Sequence, residues 1–570
     1  MKTTKKWTRP EQTKQYMEGV EYLKTINTYS LSDPIIEFLY NRGVKTKEAL
    51  DDILNVTGEH EHSPTELKDM DKAVESLKVA ISKNKKIVVY GDYDCDGVSA
   101  TAIAVKSLRN LGANVDYFIN NRFVEGYGIS PLGVDNMLKQ IPDAEFVLTV
   151  DNGIVAFEGV EYANKKGLDV LVTDHHLAEK RLPDALAVVN PHRLDDTSTF
   201  KHICGATVIY KVMMSLYWEL GEDLTFVKEM IDLVGMATVG DVMPLLNENR
   251  FFVSESINLI EKGNRPQFTL LKDRKNVGIM NEEVFGFQFV PTINAVGRLD
   301  GSPRKAVDFF LTDDTSEMEK LVDELIEINE KRKEITVKQE SLAESLIKKQ
   351  GVEKVLIVSH EDFHEGIVGL VAGRLKETYH RPTIVFSEEN GKLKGSARSI
   401  EGFHIKHKFD EMNELILQYG GHELAAGLSI ERDKLEDFKK RINEIADDCL
   451  TEDDLIAKIE VDAVLTPQDI TEDFIEELDS IRPFGAGFRS PVFGLKDFSV
   501  GKVIYMGQDK NHLKLVDQRS GLEIVMFKYA ERYLNAGEPT RVKALGTPKI
   551  NNFMGKTNIQ FSVESDCLAF

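Results

Sequence analysis

Three aspartates at alternate positions, Asp92, Asp94 and Asp96, follow directly on the apolar run Val88-Val89-Tyr90. Ionised and unpaired, they would repel one another strongly. A hard divalent cation resolves that conflict, because Mg²⁺ and Mn²⁺ favour carboxylate oxygen. For one such segment a solvated acidic turn is an equally good reading. The pattern recurs, however. Asp151-Asn152-Gly153 follows the apolar run 146–150, and Asp174-His175-His176 follows 170–173. A third apolar segment, from Met230, closes on Gly240-Asp241. If each is the carboxyl end of a strand in one parallel sheet, all these groups meet on one rim. Mixed carboxylate and imidazole donors suit Mn²⁺ better than an all-oxygen Mg²⁺ site. The expectation is a two-metal hydrolase centre, able to activate water and stabilise both oxygens of an in-line displacement.

The elements that must hold these groups are legible as alternation. Strand-like runs at 87–90, 115–119, 146–150, 170–173 and 187–189 are separated by helical stretches near 98–111, 133–140 and 157–166. That is the signature of an α/β doubly wound parallel sheet. A chain of 570 residues exceeds one hydrophobic core. The expected division is a helical extension over 1–80, the metal-bearing domain over 81–312, a connecting helix over 313–351, a second α/β domain over 352–448 and a β-barrel over 455–570. Within the connector, Leu321, Leu325, Ile328, Ile335, Leu342 and Leu346 share a seam. A seam of this length fits either a coiled-coil dimer arm or, preferably, a bridge packed on its own protein. The barrel rests on short strand-like runs at 492–495, 501–506, 512–516, 522–527, 540–546 and 557–563.

Charge narrows the partners. The formal net charge is −23, which argues against a broad basic surface for duplex DNA. Residues 501–560 nevertheless carry ten Lys/Arg against five Asp/Glu. Tyr505, Phe527, Tyr529, Tyr533 and Phe553 lie among these basic residues, as in barrels that stack bases along a cationic groove. At least half of those rings are expected to be barrel core instead. Four scattered cysteines fit neither a disulfide framework nor a zinc finger. No signal peptide or membrane span is evident, so a cytoplasmic protein is expected.

Phosphate-binding candidates lie outside the acidic motifs. Arg122 sits beside a glycine turn in Arg122-Phe123-Val124-Glu125-Gly126-Tyr127-Gly128, and Arg298 closes Asn294-Ala295-Val296-Gly297-Arg298. Lys394-Gly395-Ser396-Ala397-Arg398 and Gly420-Gly421-His422 combine close backbone with Ser, Arg and His, which fits a phosphate cradle. Ordinary turns with solvated basic residues are the alternative for each.

In order, these motifs resemble those of the DHH phosphoesterase superfamily, and most closely its exonucleases specific for single-stranded DNA. The resemblance implies Asp94, Asp96, Asp151, His175 and Asp241 as ligands of two Mn²⁺ or Mg²⁺ ions, with Asp92 an accessory carboxylate. It implies that His176 stabilises charge on the scissile phosphate. Arg122 and Arg298 would contact the backbone, Ser396 and Arg398 the terminal phosphate, and Gly420, Gly421 and His422 phosphate near the cut. Some members carry a histidine four residues before the first carboxylate of the DxD pair; here Tyr90 stands there, which predicts a less fully ligated first metal. The second domain resembles the DHH-associated domain, and Pro483-Phe484-Gly485-Ala486-Gly487-Phe488 with the following barrel resembles an OB-fold. The implied activity is 5′→3′ degradation of single-stranded DNA to mononucleotides in repair and recombination, by a monomer whose candidate partners are a helicase or a single-strand-binding protein. Two other readings stand beside it: a phosphodiesterase or pyrophosphatase for small substrates, and an inactive replication scaffold.

Overall fold

Strands form where short apolar runs alternate with helical stretches. The computed structural model describes residues 5–389, 391–553 and 556–569, with the side chains of 552, 553, 556, 557, 565 and 566 outside that description. The candidate ring Phe553 is among those. β1 (Ile87–Gly91), β2 (Val115–Ile119), β3 (Phe146–Val150), β4 (Asp169–Thr173) and β5 (Ala187–Val189) make one parallel sheet in the order β2-β1-β3-β4-β5. Both faces are covered, so the strands read as continuous apolar runs rather than alternating ones. Val89, Leu148 and Leu171 face one core with Val98, Ile103 and Ile209; Val88, Val147 and Val172 face another with Val134 and Val160. The strand order reverses between β1 and β3, which opens a crevice at their carboxyl ends.

α1 (Cys95–Asn110) begins earlier than the 98–111 read from periodicity. The reason is local: the Asp94 carboxylate accepts from the N–H groups of Asp96 and Gly97, at 2.9 and 3.1 Å, and caps the helix. Beyond β5 come α2 (Gly205–Leu220), α3 (Ile231–Gly240) and α4 (Asn247–Glu261). Asp241 is therefore the C-cap of a helix and does not end a strand. The segment is apolar on every side because it is buried on every side, and a buried helix shows no period to distinguish it from a strand.

The connector is α5 (Thr315–Gln350), started by Asp314 accepting from the Glu317 N–H at 2.8 Å. Its Leu321 and Leu325 join the first domain's core, while Ala343 and Ile347 pack with the second domain. The seam is thus covered by the helix's own protein. The second domain holds β6 (Leu356–His360), α6 (Val368–Tyr379), β7 (Thr383–Glu389), β8 (Lys392–Arg398), β9 (Gln418–Gly421) and β10 (Ala425–Glu431). Its sheet runs β9-β10-β8-β7-β6, with only β6 and β7 parallel.

The C-terminal strands are β11 (Phe493–Met506), β12 (His512–Asp517), β13 (Glu523–Met526), β14 (Arg541–Phe553) and β15 (Lys556–Ala569). β11 pairs with both β12 and β14, and β13 with β15, so the five strands close into a barrel. The runs 492–495 and 501–506 are one strand, bent by register shifts at Leu495/Phe498 and Val500/Lys502. Such bulges let a single strand serve two neighbours around a closed sheet.

The first 80 residues divide between two cores. Met70, Ala73, Val74 and Leu77 pack on the first domain. Leu23, Ile35, Phe38, Leu39 and Leu50 share a core with Phe493, Leu513, Ile524 and Phe561 of the barrel. Lys6–Thr8 pairs in parallel with Lys458–Glu460, and Arg42 forks onto Asp462 at 2.7 and 2.9 Å. The two ends of the described chain therefore build one body.

Candidate metal centre and its arginine cluster

Each acidic motif owes its shape to a backbone requirement. After β3, Asp151 adopts φ 61°, and Gly153 follows at φ 118°. A Cβ at Gly153 would meet Thr149 Oγ1 at 2.8 Å, so only glycine fits. Between them Asn152 donates to the Tyr90 and Val150 carbonyls, at 3.1 and 2.9 Å, and accepts from the Ile129 N–H. The tripeptide thus turns Asp151 into the crevice and ties the ends of β1 and β3 together. Asp96, in the first turn of α1, accepts from the Gly205 and Ala206 N–H groups at the start of α2, at 2.6 and 2.7 Å.

The sequence-predicted ligands converge. His175 Nε2 lies 3.1 Å from Asp151 Oδ1, 3.5 Å from Asp241 Oδ2 and 3.6 Å from Asp96 Oδ2. Asp92, Asp94 and Asp151 form a second set whose donor atoms lie within 4.8 Å of one another, as do those of Asp96, His175 and Asp241. Asp151 stands where the two sets meet. Among the described residues, Asp92 Oδ1, Asp151 Oδ1, His175 Nε2 and Asp241 Oδ2 are buried without a hydrogen-bond partner. Orphaned buried acceptors are costly and rare. Divalent cations satisfy all four at once, and the donor chemistry fits Mn²⁺ or Mg²⁺.

Electrostatics agree with the geometry. Burial first, then repulsion from neighbouring carboxylates, pushes Asp92, Asp94, Asp151 and Asp241 above the usual carboxylate range. Burial lowers His175, which favours the neutral ring a metal requires. His176 behaves oppositely. Burial opposes its charge, but the hydrogen bond to Asp174 and that carboxylate's charge outweigh it and push His176 up to about 9. Its Nδ1 lies 2.8 Å from Asp174 Oδ1.

Asp174 is a residue of this site that sequence reasoning left without a role. Its carboxylate accepts from the N–H groups of Ile154, His175 and His176 as well as from the His176 ring. It fixes the loop that presents both histidines. The signal was present, since Asp174 opens the Asp-His-His motif, but there it reads as one more ligand. Tyr127, whose hydroxyl lies 3.0 Å from His176 Nδ1, was also passed over.

Tyr90 does not enter the site. Its ring packs 5.2 Å from Phe118 on the far face of the sheet, and its hydroxyl donates to Asn120 Oδ1 at 2.5 Å.

Beside the carboxylates stands the opposite charge. Arg122, on the loop after β2, lies over the Tyr93 ring at 5.1 Å. Arg298 packs against the second domain: a Cβ at Gly366 would meet the Arg298 carbonyl at 2.0 Å, a close approach that needs glycine. Phe123 and His364 add an edge-to-face contact across the same joint. From β8, Arg398 donates to Ser396 Oγ at 3.0 Å. Burial first, then Arg122, Arg332 and Arg398, pulls Arg298 down to about 10. Arg122, Arg298, Arg332 and Arg398 make no ion pair among the described residues. In a chain with 94 acidic and 71 basic residues, four neighbouring arginines that make no ion pair among the described residues have the chemistry to hold an anion. Gly420, Gly421 and His422 lie on an exposed hairpin of the same sheet, Gly420 pairing with Gly427 and Gly427 with Ser396, and the His422 ring makes no hydrogen bond or ion pair among the described residues.

Comparison with known proteins agrees across the chain. Residues 86–238 match the N-terminal domain of the DHH family, 352–448 the DHHA1 domain and 461–565 the RecJ OB domain. The single-stranded-DNA-specific exonuclease RecJ of Haemophilus influenzae is 32% identical over 557 residues, 93% of this chain and 96% of that protein. RecJ of Bacillus subtilis is 33% identical over 93% of this chain and 67% of its own length. The crystal structure of RecJ from Thermus thermophilus in complex with Mn²⁺ superposes with a TM-score of 0.80 at 26% identity, covering 99% of this chain and 79% of that one. With the DHH, DHHA1 and RecJ OB domains matched in that order and relatives 32–33% identical over 93% of its length, the chain belongs to the RecJ family of the DHH phosphoesterases.

Proposed function

We propose that the chain is a metal-dependent exonuclease that removes mononucleotides from the 5′ end of single-stranded DNA, in repair and recombination. The observation that carries this is the pairing of orphaned buried donors with an arginine cluster that makes no ion pair among the described residues. The first fits cations and the second fits a terminal phosphate, so a strand anchored by its end lays its first internucleotide bond on the rim.

Asp94, Asp96, Asp151, His175 and Asp241 would hold two Mn²⁺ or Mg²⁺ ions, with Asp92 accessory to them. Bound there, the ions supply activated water and charge stabilisation at phosphorus. The chain's own groups do the rest. Asp174 keeps His176 protonated and oriented, so its ring donates toward the scissile phosphate as negative charge develops. Arg122, Arg298, Ser396 and Arg398 take the 5′ phosphate. His422, with Gly420 and Gly421, reaches the backbone beside the cut from its exposed hairpin.

The barrel extends the path. Of its candidate rings, Tyr533 is core, Tyr505 and Tyr529 pack partly against the core, and Phe527 stands 72% exposed beside His512. Phe527 is therefore the ring assigned to base stacking. Phe527→Ala is expected to weaken binding of long single strands by about 1–3 kcal/mol while sparing dinucleotide cleavage. Fluorescence anisotropy against strand length checks this; a loss independent of length removes the assignment.

The working unit on this reading is a monomer, supported by the intramolecular cover on α5. A helicase or single-strand-binding protein would supply its substrate. The thiols of Cys95, Cys204 and Cys449 support a cytoplasmic setting, and no described helix is long and apolar enough to cross a membrane.

End-labelled DNA with Mn²⁺ tests the whole. Label at the 5′ end should leave as mononucleotide at once, label at the 3′ end only late, and duplex should resist. Arg398→Ala should erase the preference for a 5′ phosphate over a 5′ hydroxyl. Early release from the 3′ end, or an unchanged end preference, defeats the respective assignment.

A further inference from the structure

Arg398 is a wall shared by two spaces. On one side it meets Ser396 and the Arg122–Arg298 group. On the other it lines a separate cavity of about 570 Å³, bounded by Arg332 and Thr336 of α5 and by Gly369, Gly373 and Arg374 of α6. That volume lies within the roughly 300–1,000 Å³ of small-molecule sites. Neither Arg122 nor Arg298 borders it.

The lining is selective. Arg332 donates to Asn329 Oδ1 and, like Arg398, makes no ion pair among the described residues. Glu340 and Glu377 also line the cavity, but each already faces a cation: Arg374 binds Glu340 at 2.6 Å, and Lys376 binds Glu377. Two guanidiniums thus remain uncompensated, one at the shared wall and one beyond it. Gly369 lies against the terminal-phosphate residues, where a Cβ would come 3.0 Å from Ser396 Oγ and 3.2 Å from an Arg398 nitrogen. Gly373, one turn on, has nothing within 4 Å of an added Cβ. A group attached to the terminal phosphate therefore finds open space and unpaired positive charge directly behind it.

From this we infer that the cavity receives further phosphates on the 5′ end, so that single strands with a 5′ diphosphate or triphosphate are a substrate class of this enzyme. The inference rests on the terminal-phosphate reading above and extends it past Arg398.

The test uses the full chain without divalent metal, so that binding is read without cleavage. One oligothymidylate is compared with a 5′ hydroxyl, a 5′ monophosphate and a 5′ triphosphate by fluorescence anisotropy. The triphosphate is expected to bind at least as tightly as the monophosphate, and both more tightly than the hydroxyl. Gly373→Leu, which fills only the cavity, should lower affinity for the triphosphate about tenfold and leave the monophosphate unchanged. Arg332→Gln, which adds no bulk, should lower affinity for the triphosphate more than for the monophosphate, which it touches only through its neighbour Arg298. If the monophosphate is preferred but the triphosphate binds more weakly in the parent chain, or if Gly373→Leu and Arg332→Gln affect both ends alike or neither, the inference is overturned alone. If the monophosphate gains nothing over the hydroxyl, the terminal-phosphate reading falls and takes this inference with it.

Discussion

Asp151→Asn should leave the chain folded and lower the release of nucleotides by more than about a hundredfold, the loss that even outer partners of a metal ligand reach. The residue stands where the two donor sets meet, so its loss disturbs both. The expected stability change has the opposite sign to the usual one for a buried polar residue. Without metal, Asp151 is a buried carboxylate repelled by Asp96, Asp94, Asp92 and Asp241. Replacing it by a neutral amide relieves that repulsion, so the metal-free variant should melt above the metal-free parent. Manganese should raise the parent's melting temperature by binding only the folded state. In the variant that rise should shrink or vanish. Near-normal turnover, together with an undiminished manganese-induced rise, would mean that the two sets of donors do not hold ions.

The second large effect lies away from the chemistry. Arg250 of α4 is almost fully buried, and its guanidinium donates to the carbonyls of Ile53, Ile481, Arg482 and Pro483 while stacking on Phe488. One side chain thus joins the first domain to the N-terminal helices and to the segment leading into the barrel. Arg250→Ala removes every one of those donors and leaves the carbonyls buried, at a cost of about 3–5 kcal/mol. Arg250→Lys should recover only a fraction, because a single ammonium cannot reproduce the planar fork. Denaturant unfolding of the three proteins measures this. Equal stability of parent and alanine variant would show that the joint is held by apolar contact alone. Turnover should fall as well, since Leu245, close in sequence to Asp241, donates its N–H to the Ala486 carbonyl in the same segment.

Much of the catalytic sheet was readable because parallel strands covered on both faces become uninterrupted apolar runs. The candidate ligands were readable for a related reason: each stands close to where such a run stops. The same cue misplaced the element before Asp241, since a helix buried all round shows no period. The start of α1 was hidden in a side-chain cap, which apolar spacing does not report. Asp174 was in plain view, yet its work of orienting His176 is a matter of angle and distance. Phe527 and Tyr533 are chemically alike in sequence, and only the closure of the barrel puts one outside and the other within. Arg250 gave no signal at all. A charged residue on an amphipathic helix reads as solvated until its distant partners are known.

The shared core of the two chain ends has a consequence for how the protein comes into being. Leu23, Ile35, Phe38 and Leu50 leave the ribosome long before their core partners Leu513, Ile524 and Phe561. Until those partners emerge that apolar stripe lacks its native cover, whereas the catalytic sheet can close as soon as its own strands have emerged. This body can therefore assemble only once the barrel strands have emerged, and until then its N-terminal helices carry exposed apolar surface that a chaperone would shield.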